Sequence, residues 1–231
     1  MARGRVSRPR AGASGAWERL APFATEARLE RIEQVLGSRT LGIALVLDRL
    51  YDPHNLSAIL RTAEAFGLQE VHLSESWPDS TNPQVALGAE RWLTLRRWPD
   101  PGLLLNDLRA RGFTLALTSP EGGGVPPETF DPPGPVALVL GNEREGAAPF
   151  WESNADVRLT LPLRGFVRSL NVSVAAGIFL WSLSGQQALR VPLPEETASA
   201  LRDRWIRASV PNAEGILRHL GARGETSAEG E

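Results

Sequence analysis

Short apolar runs alternate with amphipathic segments along most of the chain. Each run is rich in Val, Leu and Ala and has the length of a strand that is buried on both faces of a sheet. The predicted strands read GIALVLD, EVHLS, FTLALT, PVALVLG and VRLTL.

Helical spacing marks the segments between and around these strands. In NLSAILRTAEAFG, the apolar residues Leu56, Ile59 and Ala63 share one face of a predicted helix, and Gly67 ends it. Further helices are predicted at TEARLERIEQVL, at PGLLLNDLRARG, along the apolar run after Asn171, at PEETASALRDRWIRA and at NAEGILRHL. The segment QVALGAERWL is ambiguous between the two patterns.

Continuously apolar strands that alternate with helices indicate an α/β fold, with a parallel sheet and helices on both faces. Sheets of this kind bind ligands beyond the carboxyl ends of their strands. Polar residues that directly follow a predicted strand are therefore the first candidates for a functional site.

Composition limits the setting in which the protein works. The 231 residues suffice for one sizeable core, carry a formal net charge of −2 and include no cysteine. A chain without cysteine forms no disulfides or thiolate metal sites, which fits a reducing compartment. The basic N-terminus lacks the apolar centre of a secretory signal, and no apolar run is long enough to span a bilayer. We expect a cytoplasmic protein with no membrane partner.

Several common site motifs are missing from the sequence. All 25 basic residues are arginines, so the Gly-Lys pair of a P-loop cannot occur. The first strand is not followed by G-x-G-x-x-G, and there is no G-x-S-x-G. The three histidines are too scattered for a metal triad, and we expect no metal. The arginines suit phosphate binding, although a GC-rich genome would give the same bias.

Three polar segments follow predicted strands, and they read DPHNLSAILR, LGNEREG and LPLRGFVRSLN. Asn55 and Asn171 each precede an apolar helix, where a side-chain oxygen can cap free backbone N–H groups. Gly141 and Gly146 fit either a tight turn or a backbone that approaches a ligand closely. Because parallel strands end at the same edge of a sheet, the three segments are expected to converge there.

Taken together, these segments resemble the three motifs of the SPOUT superfamily of RNA methyltransferases, in its 2′-O-ribose branch. The matching stretches are DPHNLSAILRTAEAFG, LVLGNEREG and LPLRGFVRSLNVSVAAGI. The flanks TEARLERIEQVL and LPEETASALRDRWIRA are similar to the extensions of the bacterial tRNA (guanosine-18-2′-O)-methyltransferases. The resemblance divides the chain into a disordered basic tail, an N-terminal helical extension, a SPOUT methyltransferase domain, a C-terminal helical extension and a disordered acidic tail, at residues 1–16, 17–40, 41–190, 191–221 and 222–231.

The resemblance also implies a deep trefoil knot in the C-terminal part of the sheet, S-adenosylmethionine as the cofactor, and a homodimer whose sites lie near the interface. LRGFVRSLN is then a cofactor loop threaded into the knot, and the helix after Asn171 packs in the core and at the dimer contact. The implied cofactor-binding residues are Thr118, Gly141, Asn142, Glu143, Gly146, Leu161, Leu163, Ser169, Leu170 and Asn171.

Two residues of the first motif are the implied catalytic residues. The family gives Arg61 the role of the base that removes the ribose hydroxyl proton. Because arginine is effectively always protonated in proteins, we expect Arg61 instead to clamp the target phosphate and ribose, while phosphate or water takes the proton. Asn55 is expected to order the turn that places Arg61. His54 is an alternative base, although the motif does not depend on histidine at that position.

A folded tRNA must contact more of the protein than the methylated nucleotide, and phosphates supply most of such affinity. The predicted RNA-binding residues lie on the first and the penultimate predicted helix and are Arg28, Arg31, Arg202, Arg204 and Arg207. The alternative is that each belongs to a solvated helix face and pairs with Glu26, Glu30, Glu33 or Asp203.

The implied reaction is methyl transfer from S-adenosylmethionine to a ribose 2′-hydroxyl of RNA, with guanosine 18 in the D-loop of tRNA as the expected target. A ribosomal RNA ribose methyltransferase keeps the chemistry and changes the substrate. A catalytically silent RNA-binding knot protein is disfavoured by the intact motif residues. A nucleotide-dependent oxidoreductase is disfavoured by the missing glycine fingerprint.

Overall fold

The computed structural model describes residues 15–50, 52–74, 88–120 and 123–226. It divides the chain into two compact units. Residues 38–193 form the larger unit, and the residues on either side of it form the smaller one. Most of the predicted tails, 1–16 and 222–231, lie outside the residues whose side chains are described.

A six-stranded parallel sheet organises the larger unit, in the order β3-β2-β1-β5-β4-β6. This confirms the predicted parallel sheet. The sequence patterns missed β3, whose arginines face solvent at the edge of the sheet. The strands are β1 (Thr40–Asp48), β2 (Leu68–Ser74), β3 (Thr94–Trp98), β4 (Thr114–Thr118), β5 (Val136–Leu140) and β6 (Val157–Leu159).

Eight α-helices occur within the described ranges, and the predicted amphipathic segments account for most of them. They are α1 (Ala16–Leu20), α2 (Glu26–Ser38), α3 (Pro53–Ala65), α4 (Pro101–Ala110), α5 (Pro149–Asn154), α6 (Val172–Ser184), α7 (Glu195–Ser209) and α8 (Ala213–Thr226). None of these helices is long and apolar enough to cross a membrane.

The central strand shows why both faces of the sheet are covered. Alternate side chains of a strand point to opposite faces. Ile43, Leu45 and Leu47 of β1 pack in one core with α3 and α6, whereas Ala44 and Val46 pack in a second core with α4 and α5. The sheet thus has helices on both sides, as the continuous apolar runs predict.

The smaller unit is held together by contacts between its N-terminal and C-terminal helices. The Asp203 carboxylate of α7 accepts hydrogen bonds from the backbone N–H groups of Ala16 (3.1 Å) and Trp17 (2.8 Å) at the start of α1. Leu20 and Trp205 are buried. Asp203 thus satisfies N–H groups that a helix start leaves without an intrahelical acceptor.

Candidate functional site

A cavity of about 340 Å³ lies at the carboxyl ends of β4, β5 and β6. Val172, Ala175 and Phe179 of α6 line one side of it. The predicted cofactor residues line the cavity as well, with the exception of Asn171; they are Thr118, Gly141, Asn142, Glu143, Gly146, Leu161, Leu163, Ser169 and Leu170. The second and third motifs therefore converge at one edge of the sheet, as their positions after strands predict.

The loop after β5 is closed by two glycines. A Cβ on Gly141 would lie 2.1 Å from the backbone nitrogen of Ala147, a distance that no other residue tolerates. Gly146 has φ +72°, in the left-handed region that favours glycine. The backbones of Asn142 and Gly146 exchange hydrogen bonds of 3.0 and 3.2 Å across the loop. These glycines are thus required by the tight turn itself, which was the structural alternative for them.

Asn142 links this loop to the cavity. Its side-chain oxygen accepts hydrogen bonds from the backbone N–H groups of Arg144 (2.9 Å) and Glu145 (2.7 Å). The side chain is buried, and its Nδ2 atom has no hydrogen-bond partner among the described residues. A buried amide nitrogen without an acceptor is costly, so the loop carries an unsatisfied donor at a residue that lines the cavity.

Side chains of all three motifs meet in one hydrogen-bonded chain. Asn171 Nδ2 donates to Asn55 Oδ1 (3.0 Å), and Asn55 Nδ2 donates to Glu143 Oε1 (2.5 Å). Asn171 Oδ1 in turn accepts from the backbone N–H of Ser173 (2.9 Å). The first motif therefore reaches the cavity through Asn55 and Glu143, because Glu143 is part of the cavity wall.

The predicted capping roles have different outcomes. Asn171 is the N-cap of α6, which confirms that prediction. The prediction that Asn55 precedes and caps its helix is wrong, because α3 begins at Pro53 and its N-cap is Asp52. Proline favours the first helical position, and the Asp52 carboxylate accepts from the backbone N–H of His54 (2.8 Å). Asn55 lies within the first turn, so its amide is available for Glu143 and Asn171.

Arg61 lies outside the cavity of its own chain. It is exposed on α3 and makes no hydrogen bond or ion pair with any other residue in the described part of the chain. Six positions of an α-helix rotate a side chain by about 600°, so Arg61 leaves α3 roughly 120° away from Asn55. The two predicted catalytic side chains therefore do not converge within this chain.

The sequence patterns did not identify two residues at the end of β1 that contact the loop after β5. Buried Asp48 accepts a hydrogen bond from the backbone N–H of Ala148 (2.7 Å), just beyond the loop. Arg49 has φ 52° and forms an ion pair with Glu145 of the loop (3.1 Å). Their position directly after a buried strand was the available signal, because that is where side chains reach the carboxyl edge of the sheet.

The predicted RNA-binding arginines all belong to the smaller unit, where Arg202 and Arg207 form ion pairs. Arg202 contacts Glu33 (2.5 Å) and Arg207 contacts Glu214 (2.6 Å). Arg31 donates to the Gln34 side chain (2.8 Å). Arg28 and Arg204, like Arg31, are exposed to solvent. Glu33 is one of the acids that the structural alternative named, but it pairs with Arg202 from a different helix and not at the helical spacing on which that alternative rested.

Comparisons with known proteins point to one family. Residues 42–181 match the SpoU rRNA Methylase family. A curated tRNA (guanosine(18)-2′-O)-methyltransferase of Thermus thermophilus is 36% identical over 191 residues, which cover 79% of this chain and 97% of that protein.

Solved structures agree with the sequence matches. The A. aeolicus TrmH/SpoU tRNA modifying enzyme superposes with a TM-score of 0.71 at 29% identity, over 81% of this chain and 98% of that one. The SpoU methyltransferase AviRb from Streptomyces viridochromogenes, in complex with the cofactor AdoMet, has a TM-score of 0.58 at 27% identity, over 65% of this chain and 60% of that one.

Proposed function

The chain belongs to the SpoU rRNA methylase family, and from that premise we propose that it transfers a methyl group from S-adenosylmethionine to the 2′-hydroxyl of guanosine 18 in the D-loop of tRNA. The observation that carries the proposal is the convergence of Asn55, Glu143 and Asn171 beside one cavity at the sheet edge. The tRNA target rests on relatives that are named for that reaction and match most of the chain. With tRNA as its substrate, the enzyme works in the cytoplasm.

The cavity fits the proposed cofactor. Its volume of about 340 Å³ lies within the range of small-molecule sites. Gly141, Asn142 and Gly146 of the loop after β5 line the cavity, and glycine allows a ligand to approach the backbone closely. Leu161 and Leu163 supply apolar wall, and Ser169 adds a hydroxyl group to the lining. When bound, S-adenosylmethionine supplies a methyl group that is already activated for transfer.

Catalysis then consists mainly of positioning. An in-line displacement requires the ribose oxygen, the methyl group and its leaving atom to be aligned, and fixed geometry of this kind contributes much of the rate of many enzymes. The Asn171–Asn55–Glu143 chain holds the edge of the cavity rigid. Arg61 binds the phosphate and ribose of the target nucleotide, and phosphate or water accepts the hydroxyl proton.

A homodimer completes the site in this proposal. Val174, Ile178 and Trp181 form an exposed apolar stripe on α6, at helical spacing. Other residues of α6 line the cavity, so this helix separates the cavity from the stripe. A second copy packed on the stripe places the site beside the interface. Arg61, on the neighbouring helix α3, then lies at that interface instead of facing solvent.

The trefoil knot is part of the same proposal. After β6, at one edge of the sheet, the chain returns along the carboxyl ends of the strands, and α6 packs against α3 beside β1. This return path supports threading of residues 160–171 through the C-terminal part of the fold. The cofactor loop and the N-cap of α6 belong to that threaded segment.

The division of the chain is likewise proposed to be functional. Residues 41–190 carry the methyltransferase activity, and the flanking extensions, 17–40 and 191–221, carry arginines for the tRNA backbone. Arg28, Arg31 and Arg204 face solvent, as such contacts require. The tails 1–16 and 222–231 lie mostly outside the described residues.

The decisive experiment is transfer of labelled methyl groups to purified tRNA and rRNA in parallel, followed by nucleoside analysis. We expect 2′-O-methylguanosine from tRNA at position 18. A matched tRNA with 2′-deoxyguanosine at that position has no hydroxyl to methylate and must stay unlabelled. Label in rRNA alone would give the enzyme a ribosomal target, and label in neither would contradict methyl transfer.

A further inference from the structure

The loop between β6 and α6 carries a fully exposed aromatic ring. Phe166 has 108% of its reference surface accessible, the largest value among the exposed large hydrophobic residues described in the structure. Its neighbour Val167 is 63% exposed. An exposed phenylalanine gains nothing from folding, because the hydrophobic effect acts only on surface removed from water. Burial of this ring therefore requires a partner.

Arginines flank the ring on both sides. Arg164 and Arg168 are exposed, and neither forms a hydrogen bond or ion pair with another residue of the described ranges. The run from Leu161 to Asn171 contains no acidic residue. Two free guanidinium groups and no carboxylate make this loop locally cationic, which is complementary to a polyanion and especially to phosphate.

The ends of the loop fix its position relative to the chemistry. Leu163 lies on one side of the exposed segment, Ser169 and Leu170 lie on the other, and all three line the cavity. Phe166 is therefore at most three residues from a cavity-lining residue on either side. Any ribose that enters the cavity brings its adjoining bases and phosphates to this rim.

We propose that Phe166 stacks on an unpaired base of the RNA substrate next to the methylated ribose, while Arg164 and Arg168 bind phosphates on either side of that base. Four residues of chain span at most about 14 Å, so both arginines reach the backbone of the same short single-stranded stretch. Stacking on an aromatic side chain is a common way to bind a splayed-out base, and arginines bind its phosphates. The inference rests on the proposed function, since it concerns the substrate of the same site.

The test measures the affinity of Phe166→Leu, Phe166→Ala and Phe166→Trp for an unmodified tRNA transcript and, separately, for S-adenosylmethionine. Leucine keeps apolar surface but has no ring, so the Leu and Ala variants are expected to lose about ten-fold or more in tRNA affinity. The Trp variant is expected to bind tRNA like the wild type. Affinity for S-adenosylmethionine and the sedimentation coefficient are expected to stay unchanged in all three.

The arginines are tested by the salt dependence of tRNA binding. In the double variant Arg164→Gln/Arg168→Gln, the slope of log tRNA affinity against log salt concentration is expected to fall by about two, one for each lost phosphate contact. Matched controls are Arg97→Gln, on β3 at the opposite edge of the sheet from β6, and Leu103→Ala, an exposed apolar residue of α4. Both controls are expected to bind tRNA like the wild type.

Two results would overturn the inference. Wild-type tRNA affinity in Phe166→Leu would show that the aromatic ring is not required. A changed sedimentation coefficient in Phe166→Ala would assign the ring to contact between copies of the chain. Methyl transfer by the wild-type enzyme, measured alongside, separates this inference from the proposed function. A wild type that methylates tRNA while Phe166→Leu binds it normally contradicts the stacking role alone, whereas an inactive wild type contradicts the methyl-transfer proposal on which the stacking role rests.

Discussion

The amide of Asn171 donates a 3.0 Å hydrogen bond to the side-chain oxygen of Asn55, across 116 positions of sequence. Asn55 can accept this bond because its own amide nitrogen is turned toward the carboxylate of Glu143. The orientation of each side chain is thus set by the next one. Glu143, at one end of this row of hydrogen bonds, thus helps to orient Asn171, the N-cap of α6, at the other end.

Replacement of Asn55 by alanine is expected to reduce activity more than stability. The change removes two part-buried hydrogen bonds, one from Asn171 Nδ2 and one to Glu143 Oε1, each of which contributes about 1 kcal/mol of unfolding free energy. Loss of alignment at the cavity edge is expected to lower kcat by about 100-fold under conditions where the variant is fully folded. Urea unfolding and single-turnover methyl transfer measure the two effects.

Asn154→Ala is the matched control for Asn55→Ala. It removes a part-buried side-chain hydrogen bond to the carbonyl of Phe150 on α5, a helix that packs on the other face of the sheet. We expect a similar loss of stability with normal kcat. Equal kcat in the two variants would mean that Asn55 is only a structural residue.

Gly141→Ala is expected to weaken cofactor binding strongly. The added Cβ meets backbone atoms of Gly146 and Ala147, which cannot move aside as a flexible side chain would. The loop must open, and the Asn142 side chain then loses its place in the cavity wall. Calorimetric titration with S-adenosylmethionine is expected to show at least a ten-fold loss of affinity. Gly134→Ala is the control, because its Cβ would meet nothing within 4 Å, and normal affinity is expected.

Much of the fold can be predicted from the sequence, because buried strands and helix faces produce a regular pattern of apolar residues. The central strands β1, β4 and β5 are mostly apolar and contribute side chains to the cores on both faces of the sheet, so their runs are nearly continuous. The pattern fails for β3, where Arg96 and Arg97 are exposed at the edge of the sheet. An edge strand buries too little surface to impose an apolar run.

The site is only partly visible in the sequence, for geometric reasons. Polar residues after strands identified the loop of Gly141 and the cap at Asn171. The sequence pattern predicts the start of α3 wrongly. Asp52 caps the helix and Pro53 begins it, two residues before Asn55. Sequence order also suggests that Asn55 and Arg61 act together, but the helical rotation between them separates the two side chains.

Arg61→Ala is expected to abolish methyl transfer and to leave the affinity for S-adenosylmethionine unchanged. Arg61 lies outside the cavity, so it has no contact with a small ligand bound there. The loss should appear in kcat and in tRNA affinity together, because a phosphate clamp acts on the substrate before and during the reaction. Arg97→Ala is the control with an equally exposed arginine far along the sheet. Turnover close to normal in Arg61→Ala would remove it from the catalytic residues.

The lowered pKa of Glu70 predicts that part of the folding stability is lost at acid pH. Burial of its carboxyl group raises the pKa, but the nearby His72 (Nε2–Oε2 3.8 Å), the hydrogen bond and charge of Arg111 and the charge of Arg96 prevail and lower it from 4.5 to about 2. A group whose folded pKa is depressed stabilises the fold above its unfolded pKa, and this contribution is lost as the pH falls toward the folded value. The stabilisation amounts to about 3 kcal/mol at neutral pH.

The measurement compares wild type with Glu70→Gln by denaturant unfolding at several pH values. We expect the difference in unfolding free energy to be large at pH 7 and to shrink as the pH falls from about 4.5 toward 2. Glu128→Gln, an exposed glutamate, serves as the control and is expected to follow the wild type. A difference that stays constant with pH would show that the charge of Glu70 is unimportant.

The arginines of the smaller unit allow a test that separates RNA binding from ion pairing. Arg202 contacts Glu33, so Arg202→Gln and Glu33→Gln both break the same pair. If Arg202 also binds a tRNA phosphate, only Arg202→Gln lowers the salt slope of tRNA binding, by about one. Equal slopes in the two variants would confine Arg202 to the ion pair.

The exposed Arg28 and Arg31 are tested together by glutamine replacement. The salt slope of tRNA binding is expected to decrease by about two, with unchanged affinity for S-adenosylmethionine. A wild-type slope in that variant would place the RNA path elsewhere on the protein.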